Sequence, residues 1–490
     1  MIRTLFSIGA LQAGGIVVTA MRAKLFALLL GPAGFGIVAT IDQLLVSMAQ
    51  LSNLSVPFTA LKFLSRSHSR SEAELRQSYR AFLRLMVTIA LVATLIGVVL
   101  VQLLPDRMGA ELAPDRTAVM VALLGLPALL LMMFFVNALA AMDKSTQSVK
   151  LSLMFNATLL VFGGIGCWLG GIRGIYLAAL PGTAILIGAT WLVLRARLKL
   201  RPGEHAGALR EQLATHPQIL QMAFFTYIAV ASIGTTMLGA RYAALHWLGA
   251  EGAGLFQACL AIALAIGGIL GPASSLYLSP YVNRAIPLAE KIAAVDRFLP
   301  RLILLFSLGA LPVVLFPQWV LWALFSDAFR SVASLLVWYV IWQYVGQVAT
   351  VYHHLLIGLD DMRGFCAAVV LGNAVTMLAC IVGTQRLGLL GLGLGLLLGA
   401  AVALSAAVVR LKSRHRSTVP LATLPVFVFA PSALALIAML PLAPEAATGG
   451  IVQRLVVGTM FLAGLGLLLP RELKVEVRSG LKRRFGRPRK

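Results

Sequence analysis

Fourteen stretches of apolar residues, separated by short polar turns, leave this chain few ways to fold. They lie near 4–30, 36–61, 82–104, 117–142, 148–170, 174–194, 217–247, 253–282, 299–325, 331–358, 364–385, 388–409, 421–442 and 451–469. About 20 residues suffice for an α-helix to cross roughly 30 Å of hydrocarbon, and nearly all of these runs reach that length. A segment in lipid must satisfy its own backbone groups, and a membrane barrel would show alternating ten-residue strands instead. The expected fold class is therefore all-α, a polytopic membrane protein with about 14 transmembrane helices. Composition agrees: 59% of residues are hydrophobic, only 12% are charged, and the mean hydropathy is +0.90. The first run is too long for a signal-peptide core, so it is expected to be a retained span.

The net charge of +23 would point to nucleic acid in a water-soluble chain, but its distribution here excludes that reading. If the N-terminus is cytoplasmic, the segments on its side hold 32 of the 41 lysines and arginines. Among them are six from Lys62 to Arg84, five from Arg195 to Arg210, four from Arg410 to Arg416 and nine from Arg471 onward. The opposite side and the helices feeding it hold Arg22, Lys24, Arg107, Arg116, Arg173, Arg241, Arg330, Arg386 and Arg454. The positive-inside rule then places both termini of a multi-pass membrane protein in the cytoplasm. The basic tail, 470–490, is expected to lie in solvent or against lipid headgroups, which makes membrane lipids partners. Cys167, Cys259, Cys366 and Cys380 fall inside apolar runs without metal-ligand spacing and read as small core residues.

One motif occurs twice. Leu30-Gly31-Pro32-Ala33-Gly34-Phe35-Gly36 returns as Leu248-Gly249-Ala250-Glu251-Gly252-Ala253-Gly254, 218 positions later. Met142-Asp143 matches Leu359-Asp360, and Gly171 and Gly174 match Gly388 and Gly391, at an offset of 217. A nearly constant offset predicts two pseudo-symmetric six-helix lobes, an N-lobe over 1–195 and a C-lobe over 217–411. A cytoplasmic linker at 196–216 joins them, and two C-terminal helices follow within 412–469. Six is even, so both lobes enter the membrane from the same side, and the repeat axis runs along the membrane normal. The linker carries Pro202, Gly203 and Gly207 in a basic, non-periodic stretch.

Parallel repeats of this kind commonly enclose a site at mid-membrane. Charge at that depth costs a few kcal/mol, so intramembrane cations line a wet cavity or pair with an acid. Arg22 and Lys24 precede the first glycine motif by nine and seven residues, and Arg241 precedes the second by eight. These three are the candidate anion-binding residues. The alternative is that they snorkel to outer headgroups. Gln12, Gly15, Thr19 and Arg22 share one face at helical spacing. Asp42 is the one acid clearly inside an apolar run and is expected to pair with a cation of the first helix, the other possibility being a coupling proton. Asn137 and its repeat mate His354, with His353 adjacent, are further cavity or coupling candidates, with an interhelical hydrogen bond as the simpler role.

Catalytic patterns are missing. There is no phosphate-binding loop, no H-E-x-x-H and no loop long enough for a catalytic domain, the longest on the outer side running from Pro105 to Arg116. Gly391, Gly393 and Gly395 lie in a membrane helix, where small residues serve close packing. No metal or cofactor site is expected, nor an ATP site. Energy would come from a proton or sodium gradient, the membrane potential or consumption of product.

The segment from Lys24 through Gly31-Pro32-Ala33-Gly34-Phe35-Gly36 resembles the signature of Wzx-type bacterial polysaccharide flippases, which handle O-antigen and enterobacterial common antigen units. Their superfamily, the multidrug/oligosaccharidyl-lipid/polysaccharide exporters, also holds the lipid II flippase and multidrug and toxin extrusion transporters. The motif covers about a dozen residues, and Lys24 occupies the family lysine position. The resemblance implies a two-lobed, alternating-access transporter and not an enzyme. Its substrate would be an undecaprenyl-diphosphate-linked oligosaccharide carried to the periplasmic leaflet for surface polysaccharide biosynthesis, and its candidate partners a polysaccharide polymerase and a chain-length regulator. Many members have twelve helices, so the last pair departs from that pattern. The competing readings are a multidrug or other-lipid exporter of the same superfamily, and a non-transporting component of a glycan polymerase complex.

Overall fold

The computed structural model describes residues 2–103, 112–200, 217–274, 278–284, 286–416, 424–440, 445, 448–470 and 473–474. The described residues contain no strand. In chain order the principal helices are α1 (Ile2–Ser52), α2 (Val56–Arg70), α3 (Glu72–Leu103), α4 (Arg116–Leu124), α5 (Leu126–Ala141), α6 (Ser145–Arg197) and α7 (Pro217–Ala273). They continue with α8 (Leu288–Leu315), α9 (Pro317–Leu324), α10 (Leu336–Gly358), α11 (Met362–Leu387), α12 (Leu389–His415), α13 (Leu424–Met439) and α14 (Thr448–Leu468).

Three of these are too long to be single spans. With 51, 53 and 57 residues, straight α1, α6 and α7 would each measure about 75–85 Å, more than twice the hydrocarbon thickness. Each is interrupted at a glycine with positive φ: Gly31 at 65°, Gly171 at 58° and Gly249 at 71°. In a straight helix Arg22 and Asp42 would lie about 30 Å apart, yet their side chains meet at 2.7 Å. The chain therefore reverses at Gly31, and Pro32 starts the returning arm, where its missing N–H costs nothing. Ten helical stretches among the described residues are long and apolar enough to span, and α13 is a shorter apolar helix. Counting both arms of the three broken helices gives the fourteen expected.

The internal repeat is written into the backbone. Gly31 and Gly249 share one conformation (φ 65°, ψ −176° and φ 71°, ψ −177°). Positive φ recurs at Gly171 and Gly388, at Asp143 and Asp360, and at Lys199 and Arg416. The last two pairs are non-glycine, for which such angles are uncommon, and all three stand at the offset of 217 read from the sequence.

By contact the chain forms two compact units. The first comprises residues 1–257, 324–326 and 384–389, and the second 258–323, 327–383 and 390–490. In the first unit the two glycine motifs touch. A Cβ at Gly36 would collide with the backbone of Ala250 and Gly254, and one at Gly254 with Pro32 and Gly36. Gly36 and Gly254 are repeat mates, as are Pro32 and Ala250, so the contact is reciprocal. Lipid removes the hydrophobic driving force between helices, and close backbone approach through small residues takes its place. From this contact the arm 32–52 follows the first arm of α7, where Ser47 donates to the Gly234 carbonyl (2.8 Å) and Tyr227 to that of Leu51 (2.9 Å). Gly166 and Gly174 make the same kind of contact across the α6 turn, and so do their mates Gly383 and Gly391 in the second unit.

Two stretches depart from the expected spans. The second run was expected to continue to residue 61, but Leu54 and Ser55 take positive φ and break it. Residues 56–70 form the separate helix α2, which buries Val56, Ala60, Phe63 and Leu64 and presents Arg66 and Arg70 outward. The ninth run, expected to reach 325, stops at Leu315, and α9 begins at Pro317. The 3₁₀ turn Ala113–Asp115 ends the loop that begins near Pro105, most of which lies outside the described residues, as do most of the linker 196–216 and the tail.

In the second unit, α13 and α14 are fixed by buried polar bonds. Tyr344 of α10 donates to the Phe427 carbonyl (3.0 Å), and Arg454 of α14 to that of Leu315 (2.7 Å). Glu445 accepts from the N–H groups of Gln318 (3.2 Å) and Trp319 (3.0 Å), capping the open N-terminus of α9. Between α10 and α11, Asp361 accepts from Arg410 (2.7 and 3.0 Å) and the Gly364 amide (3.0 Å), and lies 3.2 Å from His415. All four cysteines are buried thiols.

Two expected outcomes test this packing. Gly36→Val should separate the motif contact and lower the melting temperature in detergent by the equivalent of about 1–3 kcal/mol, whereas Gly15→Val, with open space around it, should not. Burial pushes the Asp361 carboxyl up, but the bonds from Arg410, Gly364 and His415 outweigh it and hold the group well below the usual carboxylate range. Its contribution is then complete above the ordinary value of about 4 and is lost as pH falls toward the depressed one. Melting temperatures measured across this acid range should fall less steeply for Asp361→Asn than for the wild type.

Candidate functional site

The reversal at Gly31 sets the depth of the charged residues. Arg22 lies nine residues before Gly31 and Asp42 ten after Pro32, so antiparallel arms bring them to the same level. Their ion pair, 2.7 Å long, is three-quarters shielded on the arginine side. Asp42 also accepts from Tyr176 of α6 (3.1 Å), whose hydroxyl lies 3.2 Å from the Val38 carbonyl. The Arg22 guanidinium stands over the Phe26 ring, 5.7 Å from its centroid. Arg22, Asp42, Asn156, Tyr176 and Thr183 are the polar residues of a chamber of about 250 Å³, otherwise lined by apolar residues such as Leu45, Phe155 and Leu180.

Arg241, on the first arm of α7 in the same unit, is only 8% exposed. Its Nε has no hydrogen-bond partner among the described residues. The field of the Asp42 carboxylate reaches it, but that carboxylate is already bonded to Arg22 and Tyr176. Two guanidiniums thus share one acid, leaving a local surplus of positive charge in a region where an uncompensated cation is costly. An incoming anion would complete the set, and guanidinium is suited to hold phosphate oxygens two at a time.

The other candidates fall in several places. Lys24 is half-buried, two residues past Arg22, and is absent from the chamber lining. Gln12 is half-buried near the start of α1, while Thr19 donates to its own Gly15 carbonyl (2.9 Å), so the polar stripe is partly satisfied within the helix. Asn137 donates to Met133, one turn back (2.8 Å), in place of an interhelical bond. His354 is half-buried in the second unit. Beside it, His353 rests its ring on Phe365 (5.7 Å) with Nε2 buried and without a partner among the described residues.

Tyr176 is the participant that sequence reasoning passed over. It was visible as a hydroxyl-bearing residue in an apolar run two positions after Gly174, but nothing in its own helix tied it to Asp42.

No family model matches the sequence, and no curated protein matches it. Solved structures do. The lipid II flippase MurJ in an inward closed conformation aligns with a TM-score of 0.68 at 12% identity, over 96% of this chain and 99% of that one. A multidrug resistance MATE family transporter of the MOP superfamily, inward-facing, gives 0.63 at 13% identity over 86% and 95%. A MATE in complex with MaL6 gives 0.62 at 15% identity over 88% and 96%. The chain shares the fold of these structures. Both flippase and exporter structures carry that fold, so the residues within it must separate the two readings.

A double-mutant cycle tests the Arg22–Asp42 chamber. Arg22→Met and Asp42→Asn should each lower thermal stability in detergent. Together they should cost less than their sum by about 0.5–3 kcal/mol, because each single change strands a charge. Tyr176→Phe should cost about 1 kcal/mol on its own, and strict additivity of the first two would show that the pair is not coupled.

Proposed function

We propose that this protein is a flippase that moves an undecaprenyl-diphosphate-linked oligosaccharide from the cytoplasmic to the periplasmic leaflet of the bacterial inner membrane, by alternating access of two six-helix lobes, 1–195 and 217–411. The observation that carries this reading is Arg241, buried with an unpartnered Nε while the nearby acid is engaged by Arg22. A diphosphate supplies the missing negative charge and several acceptor oxygens. The likeness to a lipid II flippase over nearly the whole chain supports a lipid-linked substrate, and the glycine signature at Lys24–Gly36 supports the polysaccharide branch.

A cationic-drug exporter would concentrate acids where this chain concentrates bases; its one candidate, Asp42, is neutralised by an arginine. With the cell interior negative, outward movement of an anion is downhill by roughly 2.3 kcal/mol per charge per 100 mV. The membrane potential can therefore drive export without a nucleotide. Both termini, the linker 196–216 and the basic tail 470–490 lie in the cytoplasm on this reading, and a polymerase and chain-length regulator would act on the product beyond the membrane.

Arg22→Ala and Arg241→Ala should each abolish surface glycan while leaving folded protein in the membrane, with lipid-linked precursor accumulating on the cytoplasmic side. Lysine at either position should restore export only in part, because it keeps the charge and loses the planar fork. Undiminished export by the Arg22→Ala, Arg241→Ala double variant at normal expression would falsify the anion-site reading.

A further inference from the structure

A second cavity in the first unit, about 660 Å³ in volume, lies against α3, α4, α5 and the second arm of α6. Such a volume is in the range of pockets that enclose a small ligand or a length of lipid chain. Phe135, Thr183 and Ile187 form its buried floor, and Val87, Pro181 and Trp191 its exposed rim. Every helix that builds it belongs to a membrane-spanning stretch, so the open side faces lipid. Thr183 is the one lining residue with a polar side-chain oxygen, and its hydroxyl donates to Ala179 (2.8 Å) within its own helix. Apart from the Trp191 indole N–H the walls offer water little to bind, and an apolar chain suits them.

Two features point to which chain. Leu180 and Thr183 line both this groove and the Arg22–Asp42 chamber, so the two cavities share a wall. At one end Trp191 carries the Arg195 guanidinium over its ring at 5.3 Å, and Arg84 follows the lining residue Leu83. Both arginines are exposed, and neither forms an ion pair among the described residues. An apolar groove with one guanidinium stacked on its rim tryptophan, and a second exposed arginine next to a lining residue on α3, suits a long hydrocarbon chain ending in a multiply charged phosphate. A zwitterionic lipid matches that charge less well.

We propose that this groove docks the polyprenyl chain of the diphosphate-linked lipid in the leaflet on the Arg84–Arg195 side, separate from the Arg22–Asp42 chamber. The proposal rests on the flippase reading and adds to it a lateral holding site on the N-terminal helices.

The test is photo-crosslinking of the purified full-length protein with radiolabelled undecaprenyl diphosphate. p-Benzoylphenylalanine replaces Val87 at the groove rim or, as a lipid-facing control in the second unit, Leu378. Label at Val87 is expected to exceed that at Leu378 by about tenfold, and excess unlabelled undecaprenyl diphosphate should compete it away while phosphatidylglycerol does not. Gly188→Trp, at a lining position where a Cβ meets open space, should fill the groove and lower the label by about tenfold at unchanged melting temperature. Ala184→Phe gives a second filling variant should the tryptophan unfold the protein. Equal label at Val87 and Leu378, equal competition by phosphatidylglycerol, or full label in a folded groove-filled variant overturns the proposal. Equilibrium binding of the probe to unmodified protein separates the two readings. Binding that Arg22→Ala abolishes, without label at Val87, sinks the groove alone. No binding at all sinks the flippase reading and the groove with it.

Discussion

A guanidinium at the centre of a bilayer costs at least about 2.5–3.5 kcal/mol even on lenient scales, and the arrangement of the first unit follows from how that cost is met. Arg22 is offset by Asp42 only because the chain reverses at Gly31, and Asp42 keeps its orientation because Tyr176 reaches it from α6. Moving any of these three helix arms by a turn would carry one partner about 5.4 Å away and leave a charge or a hydroxyl without its partner in hydrocarbon. The ion pair therefore ties the registers of three helix arms to one another. Arg241, in the same unit, does not line the chamber but feels the field of Asp42, and its buried Nε has no partner among the described residues, an imbalance that an anion could offset.

Holding such a neighbourhood together in lipid requires contacts that do not depend on excluding water. The glycine pairs provide them. Gly36 against Gly254 and Gly166 against Gly174 bring backbones so close that any Cβ would collide with main-chain atoms, which maximises dispersion contacts between helices. The same glycines explain why the motif is duplicated: a contact between repeat mates can be reciprocal only if both carry no side chain. Aromatic pairs such as Tyr79–Phe134 (5.6 Å) and Phe63–Phe82 (5.8 Å) then fill the space between α2, α3 and α5.

Apolar length made the helix number legible, and the offset of 217–218 paired residues that turn out to share backbone angles as specific as the positive φ of Asp143 and Asp360. Those signals are local or periodic, so one sequence carries them. Asp42 could be assigned a cation because it was the lone acid in an apolar run beside two candidates. Its bond to Tyr176 was not legible, since the partners are 134 residues apart and no periodicity connects them. The break after Ser52 escaped for a different reason. Leu54 and Ser55 are ordinary residues in left-handed conformations, and the amphipathic pattern of 56–70 blends into the apolar run before it.

Depth separates the anion-site reading from simple anchoring at the surface. Arg22 and Arg241 precede their glycine turns by nine and eight residues, which at 1.5 Å per residue places them about 12–14 Å below the turn. An anchoring arginine extends its stem along the helix and leaves its head in water. Arg22 instead directs its guanidinium to an acid on the neighbouring arm, and Arg241 is more than nine-tenths buried against protein. A stem that snorkelled would leave its Nε solvated, yet the Arg241 Nε is both buried and unpartnered. Repeating the turn with the same φ and ψ at Gly31 and Gly249 thus does more than preserve symmetry. It sets two guanidiniums at nearly equal distances from their turns, one paired with Asp42 and the other within reach of its field.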